Sequence, residues 1–164
     1  MLDPIAKVED ADLAGWETAF QVNLFSNVDL IKNALPELRK ANGRVVMVSS
    51  GAVGLPFTGW GAYGSSKAAL NHLNMTLAHE EPTISSIAIA PGIVDTDMQK
   101  ALRDDHGDVM PHQEQSIFIN LKESGHIVKP SDVGTVLGNL SLNLEKELSG
   151  KYLNWDDSVL ASYR

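Results

Sequence analysis

Residues 44–67 read RVVMVSSGAVGLPFTGWGAYGSSK, and this stretch predicts a strand, a loop and a helix in succession. Arg44 to Ser49 is a short run of apolar and β-branched residues, which is the pattern of a parallel strand buried on both faces. The loop from Ser50 to Gly61 is rich in glycine and contains a proline. Residues 62–79 then place apolar side chains at the spacing of a helix.

The segments on either side continue this alternation of helix and strand. Residues 12–40 are predicted to be helical, because large apolar side chains recur every three or four residues until Pro36 and Gly43 mark the end. Residues 84–90 form a second apolar run, which Pro91-Gly92 terminates. The region therefore predicts two buried strands, each connected to a helix.

The remainder of the chain is predicted to hold one more helix and one more strand. Ser131 is a candidate N-cap for a helix over residues 131–147, and residues 151–155 form a plausible last strand. Residues 95–128 are polar and contain two short helical patches. Strands that alternate with helices imply an α/β fold with a parallel sheet covered on both faces, of which about three strands are visible.

Length and composition limit the class of protein. The chain has 164 residues, of which 43% are hydrophobic, and this suffices for one domain over residues 1–164. A net charge of -8 argues against nucleic acid and anionic membranes as partners. The absence of cysteine excludes disulfides and thiol catalysis. The N-terminus does not resemble a signal peptide and no segment approaches the roughly 20 apolar residues of a membrane span, so we expect a cytoplasmic protein.

Ser50, Tyr63 and Lys67 are the residues in which we expect chemistry. Tyr63 and Lys67 lie four residues apart on one face of a predicted helix, where a lysine ammonium favours the phenolate and lowers the pKa of the tyrosine. Ser50 follows a buried parallel strand, the position at which open α/β sheets bind ligands, and its hydroxyl can hydrogen-bond a carbonyl oxygen. Each residue alone has an ordinary structural explanation, whereas the three together at this spacing are unlikely to occur by chance.

Together with two further segments, this pattern resembles the short-chain dehydrogenase/reductase family, from that family's fourth strand loop to its C-terminus. The family's serine, tyrosine and lysine fall on Ser50, Tyr63 and Lys67, and its helical asparagine falls on Asn23. Its Pro-Gly-x-x-x-Thr segment matches the stretch after the second strand, where the resemblance implies a cofactor-binding loop formed by Pro91, Gly92, Val94 and Thr96. The narrower likeness is to fungal reductases of the sepiapterin- and benzil-reductase type.

The resemblance implies an NADP-dependent oxidoreductase, a carbonyl reductase or alcohol dehydrogenase, that acts on a small carbonyl or alcohol. Tyr63 would donate the proton, Lys67 would lower its pKa and hold the nicotinamide ribose, and Ser50 would orient the carbonyl. Asn23 would steady a helix kink and a water that relays protons to Lys67. NAD is the less favoured cofactor, residues 95–128 would form a substrate lid, and the helices at 12–40 and 62–79 would pair in a homo-oligomer.

The chain departs from the family in one respect. The family begins with a Thr-Gly-x-x-x-Gly-x-Gly turn and continues to an Asn-Asn-Ala-Gly segment, and neither occurs in this sequence. The resemblance therefore implies the C-terminal part of a Rossmann-like doubly wound sheet, with the first βαβ half missing. The alternative to an enzyme is an inactive fragment or truncated gene model that keeps only the dimerisation helices. On this basis we expect the 164-residue chain alone neither to bind NADPH tightly nor to turn over.

Other candidate sites are less well supported. Residues 59–64 spell Gly-x-Gly-x-x-Gly, but a phosphate-binding turn follows directly after a strand, and here a loop intervenes. The five histidines lack metal-binding spacing, so we predict no metal site. Adjacent carboxylates are better explained as solvated turn residues, and they occur at Asp95/Asp97, Asp104/Asp105 and Asp156/Asp157.

Overall fold

The computed structural model describes residues 1–104 and 108–164. Its strands are β1 (Arg44–Val48), β2 (Ser85–Ala90) and β3 (Tyr152–Asn154). Its α-helices are α1 (Leu13–Phe20), α2 (Ser26–Ala41), α3 (Gly61–Glu80), α4 (Asp97–Asp104), α5 (His112–Glu123) and α6 (Pro130–Asn143). Short 3₁₀ turns lie at Val8–Asp10, Gly51–Val53, Lys146–Leu148 and Ser158–Tyr163. Asp105 and His106, which entered the carboxylate and histidine predictions, lie outside the described residues.

The three strands form one parallel sheet in the order β1-β2-β3. Val46 pairs with Ile87, and Ile89 pairs with Leu153. The predicted α/β class with a parallel sheet is therefore confirmed. The prediction that residues 44–49 are buried on both faces is wrong for most of β1, because β1 is an edge strand in the described structure and only Met47 within it is buried.

Helices cover both faces of the sheet and create its core. Alternate residues of β2 point to opposite faces, as expected of a strand that is buried throughout. Ile87 and Ile89 pack against α6 and the C-terminal turns, whereas Ala88 packs with Met47 against Leu70 and other side chains of α3. This packing fixes α3, which carries Tyr63 and Lys67, against β1 and β2. The loops that contain Ser50 and the predicted cofactor-binding residues 91–96 follow these two strands.

The predicted helix at 12–40 is a continuous helical stretch with an internal irregularity. Residues Gln21–Phe25 between α1 and α2 are π-helical. Pro36 does not end the helix as predicted but lies inside α2. The end comes at Asn42, whose φ of 46° is left-handed, and the Gly43 N–H donates to the Leu38 carbonyl at 2.7 Å.

The two short helical patches predicted between β2 and α6 are the helices α4 and α5. The C-terminal end of this segment returns to the loop after β2, where Val94 and Val128 form a parallel bridge. The helix α6 begins with Lys129 as N-cap and Pro130 in its first turn, so Ser131 is not the cap. Proline is favoured at this position because its missing N–H has no partner there in any case. Among the described residues, no helix is long and apolar enough to cross a lipid bilayer.

Candidate active site

A cavity of about 530 Å³ opens at the carboxyl ends of β1 and β2. Ser50, Tyr63 and Lys67 line it from the β1 side. The loop after β2 lines it with Pro91, Gly92, Val94 and Thr96. The structure thus brings together all the predicted site residues except Asn23, at the end of the sheet where open α/β folds bind ligands.

Ser50 is held through both its backbone and its side chain. It caps the turn Gly51–Val53, and its Oγ accepts a hydrogen bond from the Ala52 N–H at 3.2 Å. Its carbonyl accepts a hydrogen bond from the Tyr152 hydroxyl at 3.0 Å. The side chain of Ser50 also lies close enough to the phenol of Tyr63 to act on its pKa. Ser50 is therefore positioned beside the group that we expect to transfer a proton.

Tyr63 is a buried phenol whose pKa differs from the sequence prediction. Tyr63 is 7% exposed, and burial raises the pKa of its phenol above 10.0, while the side chain of Ser50 acts in the opposite direction. Lys67 was expected to lower this pKa, but its Nζ lies 5.8 Å from the centroid of the Tyr63 ring and donates to the Val48 carbonyl at 2.9 Å. Loss of solvation outweighs the effect of Ser50, so the phenol of Tyr63 is protonated at neutral pH.

Lys67 is charged at some cost to the fold. Burial lowers the pKa of its ammonium below 10.5, because a partly desolvated cation is less stable than one in water. Between the lowered pKa and 10.5, the unfolded chain binds more protons than the folded chain. The free energy of unfolding therefore rises with pH across that window, and the cost is present in full below it.

Replacing this lysine should stabilise the protein. We expect Lys67→Met to raise the free energy of unfolding at neutral pH by about 0.5–2 kcal/mol, the usual gain when a functional group is replaced by one that suits its site. The gain should vanish as the pH rises to 10.5. Urea unfolding at several pH values measures both effects, with Lys100→Met at an exposed position as the control. A Lys67→Met variant that is less stable than the wild type at neutral pH would contradict this explanation.

Asn23 lies outside the cavity, in the π-helical segment between α1 and α2. Its side chain is buried and donates from Nδ2 to the Met1 carbonyl at 2.8 Å and to Ser66 Oγ at 3.0 Å. Its Oδ1 accepts from the Met1 ammonium at 3.0 Å. Asn23 therefore joins the irregular helix to α3 at the residue that precedes Lys67, and to the N-terminal segment.

The loop after β2 is shaped by a glycine and by a second segment. Gly92 has a φ of +74°, and a Cβ there would lie 3.1 Å from Trp155 Nε1, so only glycine suits the position. Val128 donates its N–H to the Ile93 carbonyl, and Asp95 donates to the Val128 carbonyl, each at 2.9 Å. The backbone of this loop is consequently fixed where it lines the cavity.

Sequence reasoning missed the aromatic wall of the cavity. Phe57 and Trp60 come from the loop before α3, and Phe118 comes from α5. Their ring centroids lie 4.7 Å apart for Phe57 and Trp60 and 5.8 Å apart for Trp60 and Phe118. The only signal in the sequence was the presence of two aromatic residues in a polar, glycine-rich loop, and nothing in it linked them to residue 118.

The Gly-x-Gly-x-x-Gly segment is explained by packing. A Cβ on Gly59 would lie 2.8 Å from Ile5 Cγ2, and one on Gly61 would lie 2.9 Å from Trp16 Cζ2. Both glycines therefore let neighbouring side chains approach the start of α3. Tyr63 lies within this segment and lines the cavity. The Gly-x-Gly-x-x-Gly sequence is therefore not a phosphate-binding turn here.

Comparisons with known proteins identify relatives along almost the whole chain. An uncharacterized oxidoreductase of Saccharomyces cerevisiae is 46% identical over 165 residues, covering 99% of this chain and 65% of the relative. A benzil reductase ((S)-benzoin forming) of the same yeast is 39% identical, covering 98% of this chain and 65% of the relative. A sepiapterin reductase of Mus musculus is 33% identical over 151 residues, covering 89% of this chain and 56% of the relative.

The fold agrees with these relatives. The crystal structure of a short chain dehydrogenase/reductase from Saccharomyces cerevisiae superposes with a TM-score of 0.97 at 45% identity, covering 99% of this chain and 65% of that one. The chain thus spans about 65% of the length of the yeast relatives that it matches. The family model described as short chain dehydrogenase matches residues 3–107, which is more than half of the chain. The predicted family is confirmed, and the chain belongs to the short chain dehydrogenase family.

Proposed function

We propose that this site reduces a small carbonyl compound with NADPH, and that Tyr63 is the proton donor. The observation that carries the proposal is geometric: the buried phenol of Tyr63 lines the same cavity as Ser50, Lys67 and the loop after β2. Such a phenol is an acid with its proton in place at neutral pH. Positioned acids of this kind contribute about 10²–10⁴-fold to a rate.

The residues present fit the nicotinamide end of the cofactor. Pro91, Gly92 and Val94 of the loop after β2 line one side of the cavity, and Lys67 lines it from the β1 side. When bound, NADPH would supply the hydride. Preference for NADP over NAD is a proposal that rests on the sequence resemblance alone.

The proton that the carbonyl oxygen takes up would come from a residue of this chain. As the carbonyl carbon gains a hydride, its oxygen becomes negative and takes the proton of the Tyr63 hydroxyl, so that an alcohol forms. Ser50 donates a hydrogen bond to the same oxygen while the charge develops. Lys67 stabilises the phenolate that Tyr63 becomes, and solvent returns the proton. Asn23 would act by holding the irregular helix against α3, as its bonds to Ser66 and Met1 support.

The alternative, an inactive fragment with dimerisation helices only, is less well supported. It gives no reason for the tyrosine, the serine, the lysine and the glycine loop to converge on one cavity. We keep homo-oligomerisation through the α1–α2 and α3 helices as a proposal, supported by exposed apolar side chains such as Phe25, Leu30 and Met75. A cytoplasmic location is likewise proposed.

Affinity for cofactor fragments tests the proposed function. Because the described cavity offers residues for nicotinamide and ribose only, NADPH and reduced nicotinamide mononucleotide should bind the chain with dissociation constants within about threefold, a difference under about 1 kcal/mol. Both should bind weakly, so we expect no turnover at micromolar NADPH and slow turnover when the cofactor is saturating. Slow turnover differs from the expectation for the chain alone, and we propose it because the catalytic groups line one cavity.

Titration by the fluorescence of the reduced nicotinamide measures both constants, and Gly92→Val is the control. A side chain at Gly92 is strained and close to Trp155, so this variant should lose both ligands. Binding of NADPH about 100-fold tighter than the mononucleotide would contradict the nicotinamide-only site. No binding of either ligand by the wild type would reject the proposed function.

A further inference from the structure

A carboxylate on α5 is bound to the loop that leads into the Tyr63 helix. Glu114, in the first turn of α5, accepts two hydrogen bonds from Thr58: Oε2 from the backbone N–H at 2.8 Å and Oε1 from the hydroxyl at 2.9 Å. Hydrogen bonds to an ionised acceptor are stronger than neutral ones, and two of them define an orientation as well as a distance. Glu114 therefore fixes α5 relative to this loop.

The same two elements carry the aromatic wall. Phe118 lies one helical turn after Glu114, on the same face of α5. Its ring is stacked on Trp60 with an interplanar angle of 17° and lies 5.4 Å from Phe57. Phe57 and Trp60 flank Thr58 in the loop. The contact between Glu114 and Thr58 thus holds the ring of the helix against the two rings of the loop.

The aromatic wall reaches the proposed proton donor. Trp60 meets the Tyr63 ring edge to face, with centroids 5.6 Å apart and an interplanar angle of 87°. Trp60 and Phe118 are buried, whereas Phe57 is partly exposed and lines the cavity. An aryl group attached to a carbonyl at Tyr63 can pack on this wall, because aromatic rings favour stacked and edge-to-face contacts.

We propose that Glu114 is a positioning residue that gives the site its preference for aryl over alkyl carbonyl compounds; this rests on the proposed function. Glu114 keeps Phe118 and Phe57 at a fixed spacing, so an aryl group meets a formed surface. Without this contact, the ring contacts alone hold α5 against the loop, and the aryl group must order the wall as it binds. A small alkyl carbonyl offers the wall no ring to pack on and little area, so its binding should depend less on the order of the wall.

Two α-diketones test this proposal, benzil with two aryl groups and 2,3-butanedione with two methyl groups. In Glu114→Ala, kcat/KM for benzil relative to 2,3-butanedione should fall about tenfold, the size of effect that one pocket contact produces. The loss should appear in KM for benzil, with little change in kcat. Glu114→Gln keeps an oxygen that can accept the Thr58 N–H, so it should restore part of the ratio. Thr58→Val, which loses only the hydroxyl, should resemble Glu114→Gln.

Binding of benzil without cofactor, measured by calorimetry, provides a readout that does not need turnover. Its dissociation constant should rise about tenfold in Glu114→Ala and stay unchanged in Glu123→Gln, an exposed carboxylate at the other end of α5. Equal losses for both diketones, or an unchanged benzil affinity in Glu114→Ala, would overturn the proposal. If the wild type reduces neither diketone, the proposed function fails and the benzil affinities alone decide the role of Glu114.

Discussion

Tyr63→Phe will reduce the rate of benzil reduction at saturating cofactor by about 10²–10⁴-fold, the contribution of a positioned acid. The substitution removes one oxygen and keeps the ring, which packs edge to face on Trp60. The loss should therefore appear in the rate and not in the fold or in the affinity for benzil. Initial rates, together with circular dichroism of both proteins, measure these effects.

Tyr163→Phe is the matched control for this change. Tyr163 is also buried, and its hydroxyl donates to the Asn143 carbonyl and accepts from the Glu145 N–H, each at 3.2 Å, away from the cavity. Its loss should lower stability by about 1 kcal/mol and leave the rate unchanged. A Tyr63→Phe variant as active as Tyr163→Phe would exclude Tyr63 as the proton donor.

Ser50→Ala should lower the rate of the same reaction by about 10²–10³-fold, as observed when one donor to a developing oxyanion is removed. Ser50 has two roles that alanine cannot fill, since its hydroxyl contacts Tyr63 and accepts from the Ala52 N–H. The hydrogen bond from the Tyr152 hydroxyl to the Ser50 carbonyl remains in the variant, so the loop should keep its place. Rates and benzil affinity for both proteins distinguish loss of chemistry from loss of binding.

The neighbouring serine supplies a stringent comparison. Ser49 is buried at the end of β1, and its Oγ has no hydrogen-bond partner among the described residues. Ser49→Ala removes an unsatisfied polar group and should leave the rate unchanged while stability is maintained or increased. Equal losses in Ser49→Ala and Ser50→Ala would show that the effect is structural.

The parts of the fold that the sequence predicted well are those with strong periodicity. Residues 84–90 are almost uniformly apolar because β2 is the central strand, and residues 62–79 follow the helical period because α3 packs on the sheet. Residues 44–49 are as apolar as β2 but form an edge strand in the described structure. The apolar pattern of a strand indicates that it is suited to burial, but it does not show which neighbouring strands are present.

In the candidate site too, features set by local spacing were predicted and features set by long-range packing were not. Tyr63 and Lys67 were placed together by helical spacing alone, because four residues make one turn. The direction of the pKa shift of Tyr63 was predicted wrongly, since burial against Trp60 and Phe118 depends on a helix about fifty residues away in the chain. The bond between Glu114 and Thr58 spans 56 residues and likewise leaves no local pattern. Both the pKa shift of Tyr63 and the Glu114–Thr58 contact therefore depend on long-range packing, which a local sequence pattern does not reveal.

The most direct test of the central claim follows the hydride itself. NADPH that carries deuterium at both C4 positions of the nicotinamide is incubated at saturating concentration with benzil and the 164-residue chain, and the product is examined by mass spectrometry. We expect benzoin with one deuterium on the carbinol carbon, formed by the wild type and Tyr163→Phe but not by Tyr63→Phe. Benzoin without deuterium, or the same yield of labelled benzoin from Tyr63→Phe, would contradict this expectation.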